Sequence, residues 1–171
     1  MLFRSRAILQ SAVPEAIFVD ATNDAVLSEA IAQADAVAVG PGLGTASLGA
    51  SVLERIVSEA SLPLLLDADA LNLLAEGVPV RPEDLAGRSA LLTPHPGEMA
   101  RMLGDETPAS DRIATLRTAV ERFGVAVLLK GAPSLVADAE GTLGIDTQAS
   151  SDLAVAGMGD ALTGEIGRAH V

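Results

Sequence analysis

The stretch Ala36–Asp67, AVAVGPGLGTASLGASVLERIVSEASLPLLLD, decides the fold class. It opens with a short apolar run, Ala36–Val39, which Gly40-Pro41-Gly42-Leu43-Gly44 stops. Ser47–Ala60 follows, with Leu48, Val52, Leu53, Ile56 and Val57 recurring at the spacing of one helix face. Leu62–Leu66 is then a continuous apolar run ending at Asp67. The unit reads as strand, glycine loop, amphipathic helix and buried strand. The same alternation extends outward. Upstream, Ala16–Asp20 reads as a strand and Asn23–Gln33 as a helix. Downstream, a short helix over Ala70–Ala75 precedes a strand at Ala90–Thr93, which Pro94-His95-Pro96-Gly97 breaks. Helices at Glu98–Leu103 and Ser110–Phe123 follow, the second capped by Ser110. A strand at Val125–Leu129 leads to a hairpin of Ser134–Ala137 and Thr142–Ile145, and a last helix starts near Asp160. Arg81–Arg88 reads as a loop or surface helix. Alternating strands and helices predict an α/β protein, a mainly parallel sheet with helices on both faces.

Composition narrows the function. The chain has 171 residues, and a chain of this length suits one domain. Hydrophobic residues make up 49% and the mean hydropathy is +0.39, so a packed core is expected rather than disorder. No apolar run reaches the ~18 residues that span a bilayer. Met1–Gln10 carries Arg4 and Arg6 but no long apolar core, so a secretory leader is not expected. The net charge of −12 argues against binding a nucleic-acid backbone, and 2% aromatics with no Trp or Tyr argue against base stacking. Without cysteine there are no disulfides, zinc–thiolate sites or thiol nucleophiles. Ten of the eleven basic residues are Arg, and Lys130 is the single Lys. The two ends stand apart. Ile166–Val171 and, with a GTG start, Met1–Ser5 back-translate to opposite senses of a common sequencing-library adapter. The expected domain is therefore residues 6–165, a partial domain truncated at both ends.

Ligands of open α/β sheets bind at the carboxyl ends of the strands. The loop Gly40–Gly44, the acids Asp67 and Asp69 with Asn72, the turn Thr93–Glu98, and Lys130-Gly131 each follow a predicted strand, so the unusual residues share one rim. Each cluster has a plain reading. The glycine loop serves as a tight turn or a phosphate cradle. The aspartates cap a helix or contact a metal or ribose. Lys130 ends a strand in solvent or meets a ligand. His95, between two prolines, belongs to a surface turn rather than a core. Ala156–Gly164, AGMGDALTG, is the most specific piece. Its glycines let backbone approach a ligand, and its helix N-terminus offers free N–H groups to an anion. Asp160 there is a helix cap or a base that activates a hydroxyl toward phosphoryl transfer.

The ordered set GPGLG (Gly40–Gly44), LDADALN (Leu66–Asn72), TPHPGE (Thr93–Glu98), LLKGAPS (Leu128–Ser134) and GMGDALTG (Gly157–Gly164) resembles the ADP-dependent NAD(P)H-hydrate dehydratases, which have a ribokinase-like fold. The resemblance implies repair of hydrated NADH and NADPH. The ring hydroxyl is phosphorylated from ADP as cosubstrate, phosphate is eliminated, and AMP remains, with Mg2+ assisting. By the same resemblance Gly44, His95 and Asp160 contact the hydrated dinucleotide. Lys130, Gly131, Ala132, Pro133 and Ser134 hold the nucleotide, Gly159 lends backbone to its phosphates, and Asp160 is the catalytic base. Asp67, Asp69, Asn72 and Glu98 take supporting roles, and no metal ligand is assigned. Met158 stands where the family usually has a small hydroxyl residue. The expected partners are small molecules, with neither nucleic acid nor membrane, in the cytoplasm; homo-oligomer formation is left open. Two other readings are a ribokinase-like kinase of a vitamin precursor and a non-catalytic nucleotide-binding module. His95 and the DADALN run favour the dehydratase over the kinase, since such kinases usually carry Asn-x-x-Glu where this chain has His95–Glu98.

Overall fold

A computed structural model describes residues 11–104, 111–148 and 157–168. In chain order the elements are α1 (Asp24–Gln33), β1 (Val37–Val39), α2 (Ser47–Glu59), β2 (Leu64–Leu66), α3 (Asp69–Glu76), β3 (Ala90–Leu92), α4 (Pro96–Leu103), α5 (Arg112–Phe123), β4 (Ala126–Leu129), β5 (Ser134–Ala137), β6 (Leu143–Asp146) and α6 (Met158–Arg168). The polar stretch before β3 carries one 3-10 turn, Pro82–Asp84.

The six strands form one sheet in sequence order, β1 to β6. β1 to β4 pair in parallel, and each connection between them carries a helix. β4, β5 and β6 pair antiparallel. All three residues of β2 are buried. Successive side chains of a strand point to opposite faces, so both faces of the sheet are covered there, as the continuous apolar run requires. Cover thins toward the other edge, where none of the β6 residues is buried. The core runs from Leu53, Leu66 and Leu71 through Leu92, Met99 and Met102 to Leu116, Phe123 and Val127.

Local chemistry sets the helix ends. Asn23 caps α1 by accepting from Val26 N. Asp111 caps α5, accepting from Ile113 N and Ala114 N; the expected cap, Ser110, lies outside the described residues. Gly77 and Gly124 end α3 and α5 in the left-handed conformation. Arg55 of α2 ties back to α1 through Ser28 Oγ and the Asp24 carbonyl and pairs with Glu59 one turn on. The Glu59 hydrogen bond, aided by Asp24, holds this guanidinium above its ordinary value. Arg88 donates to the carbonyls of Val57 and Ala60, closing the C-terminal end of α2. At the β5–β6 turn the Asp138 carboxyl accepts from Thr142 N at 2.8 Å, and Thr142 holds it below the usual carboxylate range.

One expected strand is absent. Among the described residues Ala16–Asp20 joins no ladder, and Ile17 is 91% exposed. An apolar run becomes a strand only where a ladder forms beside it, and among the described residues the sheet begins at β1, which pairs with β2.

The parallel ladder continues past the strand ends. Asp67 N donates to Val39 O at 3.0 Å, Thr93 N to Leu66 O at 3.1 Å, and Lys130 N to Pro94 O at 2.9 Å. These bonds line up the residues after β1, β2, β3 and β4 on one rim. At Gly40, with φ +133°, a Cβ would lie 1.7 Å from the Asp67 carbonyl oxygen. The chain thus leaves β1 only by passing directly against the residue that follows β2. Gly40→Ala should cost at least about 2 kcal/mol through this collision and the unfavourable φ. A lowered urea midpoint with an unchanged slope would show it; an unaltered midpoint would mean the loop can move aside.

Candidate active site

The rim gathers around Asp67. Its side chain is 2% exposed, and both carboxylate oxygens are engaged. Lys130 Nζ lies 2.7 Å from Oδ1, and the Thr163 hydroxyl donates to Oδ2 at 2.7 Å. Glu98, side chain 7% exposed, brings Oε2 to 3.9 Å from the same ammonium. Lys130 therefore sits between two buried acids rather than in open solvent. Burial of a carboxylate is tolerated when its lone pairs are filled and a cation is adjacent; both conditions hold at Asp67.

Ala68 turns the chain between the two aspartates. It is the one described non-glycine residue with positive φ, at +48° with ψ −118°. This costly conformation sends Asp67 inward to Lys130 while Asp69 opens α3. Asp69 Oδ2 accepts from Gly44 N at 2.8 Å, so this carboxylate fixes the glycine loop. At Gly44 itself, φ +79°, a Cβ would meet no atom within 4 Å. The space beside it is open, whereas at Gly40 the same atom would strike the Asp67 carbonyl.

His95 is half exposed, as its place between prolines predicts, yet it has a structural duty too. It is the N-cap of α4: Nδ1 accepts from Gly97 N at 2.9 Å and Glu98 N at 3.3 Å. Glu98 Oε2 returns the bond by accepting from His95 N at 2.8 Å. An accepting Nδ1 puts the ring proton on Nε2. Nε2 faces Glu98 Oε1 at 3.4 Å, so both ring nitrogens meet groups of α4 while the ring stays half exposed.

The helix α6 completes the rim. Gly157 precedes it, and Ala161 N donates to Gly157 O at 3.0 Å. Asp160 thus lies within the first turn rather than at the cap, and it is exposed. A Cβ on Gly159 would come within 3.4 Å of Lys130 Nζ and 3.9 Å of Asp67 Oδ2, so the backbone of this glycine lies over the ion pair. Thr163, one turn later and 4% exposed, anchors the helix through Asp67. Met158 is exposed at the start of the same helix.

The segment after β4 runs across the rim as Lys130–Ser134, with Gly131, Ala132 and Pro133 exposed. Ser134 Oγ donates to Gly131 O at 2.9 Å. The structure therefore brings Asp67, Glu98, Lys130 and Gly159 together, with His95 joined through Glu98 and Gly44 through Asp69. Asn72 stands off, accepting from Arg101 Nε at 2.9 Å. Thr163 and Arg112 had no part in the sequence reading. Thr163 could have been noticed one helical turn past Gly159; Arg112 carries no such signal. Among the described residues no three His, Asp or Glu side chains are grouped to hold a metal, and no helix is long and apolar enough to cross a membrane.

A mainly parallel sheet with glycine loops, a partly buried lysine and a helix N-terminus on one rim defines a ribokinase-like α/β fold, and a solved protein of the ribokinase-like superfamily shares the fold. Residues 3–169 match the family described as NAD(P)H-hydrate dehydratase, and the chain belongs to that family. It is 41% identical over 171 residues to the bifunctional NAD(P)H-hydrate repair enzyme Nnr of Escherichia coli, covering 98% of this chain and 32% of that protein. It is 39% identical over 132 residues to the ADP-dependent (S)-NAD(P)H-hydrate dehydratase of Neisseria meningitidis, covering 75% and 45%. A crystal structure of ADP/ATP-dependent NAD(P)H-hydrate dehydratase from Bacillus subtilis, co-crystallised with ATP/Mg2+ and soaked with CoA, superposes with a TM-score of 0.70 at 26% identity, over 96% of this chain and 59% of that one. The chain thus spans about a third of the length of the bifunctional relative and under half of the single-function one.

His95→Ala should lower stability by about 1 kcal/mol through loss of the cap, whereas His95→Asn, a good cap, should keep it. Thermal unfolding of the two variants decides: equal midpoints would remove the capping role.

Proposed function

We propose that this rim binds ADP and a hydrated nicotinamide dinucleotide and catalyses ADP-dependent dehydration of the latter. The observation that supports the reading most is the stacking of Gly159 over the Lys130–Asp67 pair, with the exposed Asp160 next in the chain. Lys130 and the first N–H groups of α6 then face the same small volume, where a transferring phosphoryl group needs donors and positive charge.

In this reading Lys130–Ser134 holds the nucleotide, and Gly44 and His95 hold the dinucleotide. Asp160 accepts the proton of the ring hydroxyl as its oxygen attacks the terminal phosphorus of ADP. The bond to the bridging oxygen breaks and AMP leaves. The phosphorylated ring then expels phosphate with the C–O electron pair, and loss of a proton from the adjacent carbon restores the nicotinamide. Asp67 takes no proton, since Lys130 and Thr163 occupy both its oxygens. It holds the cation and the helix in place.

The residues fit a magnesium ion brought by the nucleotide better than one held by a protein cage. Such an ion is usually bound by phosphates, water and one or two carboxylates, and among the described residues no three His, Asp or Glu side chains are grouped to hold one without the nucleotide. When bound, it would neutralise phosphate charge. Water-soluble substrates support a cytoplasmic setting for this activity.

Asp160→Asn nearly preserves size, so ADP binding should persist while turnover falls on the order of 10²–10⁴-fold. The measurement is NADH recovery from its hydrate, with ADP and with ATP, in a full-length protein carrying this segment. Turnover near the unaltered rate would reduce Asp160 to an acid favouring the helix N-terminus.

A further inference from the structure

Arg112 is the first residue of α5, far from the rim in sequence, and its side chain reaches the segment after β4. Its Nη1 donates to Pro133 O at 2.7 Å and its Nη2 to Lys130 O at 3.3 Å. One planar guanidinium thus grips both ends of the stretch Lys130–Pro133. The grip is close: a Cβ on Gly131, φ +151°, would lie 2.5 Å from Nη2. Any side chain at this position would push the guanidinium off the loop. Among the described residues no carboxylate pairs with Arg112; its partners are these two neutral carbonyls. The base of the side chain is set by the Asp111 cap of α5.

The geometry has a consequence for the outer side of the loop. The Lys130–Gly131 peptide is trans, so its N–H points opposite to its C=O. Turning the Lys130 carbonyl toward Arg112 turns the Gly131 N–H away from the guanidinium. The neighbouring Lys130 N is committed to Pro94 O, and Lys130 Nζ to Asp67. Arg112 thereby fixes the loop from below on one side, as Asp67 and Pro94 fix it on the other.

We propose that Arg112 is a positioning residue for the nucleotide cosubstrate: by clasping the carbonyls of Lys130 and Pro133 it holds Lys130–Ser134 in the shape that receives ADP. The inference rests on the nucleotide role proposed above for that segment. The clasp needs two donors at a fixed separation, which the arginine fork has and a lysine ammonium lacks.

The test uses Arg112→Gln and Arg112→Lys in a full-length protein carrying this segment, with ADP binding by calorimetry and KM for each substrate. The expected result is a KM and Kd for ADP raised at least about ten-fold in both variants. The KM for the hydrated dinucleotide should stay within about two-fold, since a positioning loss falls on the ligand the loop holds. Full recovery by Arg112→Lys would overturn the clasp, because charge alone would then suffice. Equal losses for both substrates would also overturn it, pointing to general loosening. ADP bound normally by both variants overturns the inference and leaves the nucleotide reading standing. Absence of ADP binding by the unaltered protein overturns both. Should Arg112→Gln fail to fold, Arg112→Lys, which keeps the charge, carries the same comparison.

Discussion

The ion pair between Asp67 and Lys130 is the constraint on which the rest of the site depends. Two charges this buried cost several kcal/mol each to remove from water, and the cost is recovered only when geometry and remaining hydrogen bonds are good. Here the aspartate has the ammonium on one oxygen and the Thr163 hydroxyl on the other. Its removal would leave a stranded lysine beside Glu98, a loss of about 3–5 kcal/mol for a broken buried pair. The pair also joins three distant parts of the chain: the end of β2, the end of β4 and the helix α6. No hydrophobic contact could replace it with the same directional demand. Core leucines set where the sheet and helices lie, and the pair sets where the rim's last helix sits on them.

In a chain with net charge −12, the phosphorylated ligands proposed for this rim would have to be held by short-range forces. Salt screens its overall negative field within about 8 Å at physiological ionic strength. Inside that range the rim offers Lys130 and the N-terminus of α6. Asp67 and Glu98 flank the lysine, and a side chain at Gly159 would crowd its ammonium, so the glycine keeps that side of the ion pair clear. The absence of Trp and Tyr, with only three Phe in the chain, fits this economy of backbone donors and a lysine in place of a stacking platform.

The positions of the glycines divide the rim into walls and openings. Gly40 and Gly131 are small because protein atoms, the Asp67 carbonyl and the Arg112 guanidinium, fill the place of a side chain. Gly44 is bounded by nothing on that side. A substitution at the first two disturbs the scaffold, and one at Gly44 enters open space. His95 crosses this division. Its Nδ1 belongs to the scaffold as the α4 cap and its Nε2 faces Glu98, yet half of the ring stays exposed.

The amino-acid sequence alone determined the alternation of strands and helices, the hairpin, and the rim residues that follow each strand. Those features are local: apolar spacing, glycine and proline punctuation and caps act within a few residues. It also carried the order of motifs by which the family is recognised. It could not show that Ala16–Asp20 would join no ladder among the described residues, because a strand is defined by its neighbour. Nor could it show that Asp69 pins Gly44, that Lys130 is held by Asp67, or that Thr163 and Arg112 serve the rim. Each of these is a contact across 18 to 96 residues. A lone Arg at a helix start looks like a solvated charge until the sheet brings a loop's carbonyls to it. The sequence supplied the side chains able to make these bonds; only the packing of β2, β4, α5 and α6 decided which of them meet, because a hydrogen bond forms only where tertiary structure sets donor and acceptor about 3 Å apart.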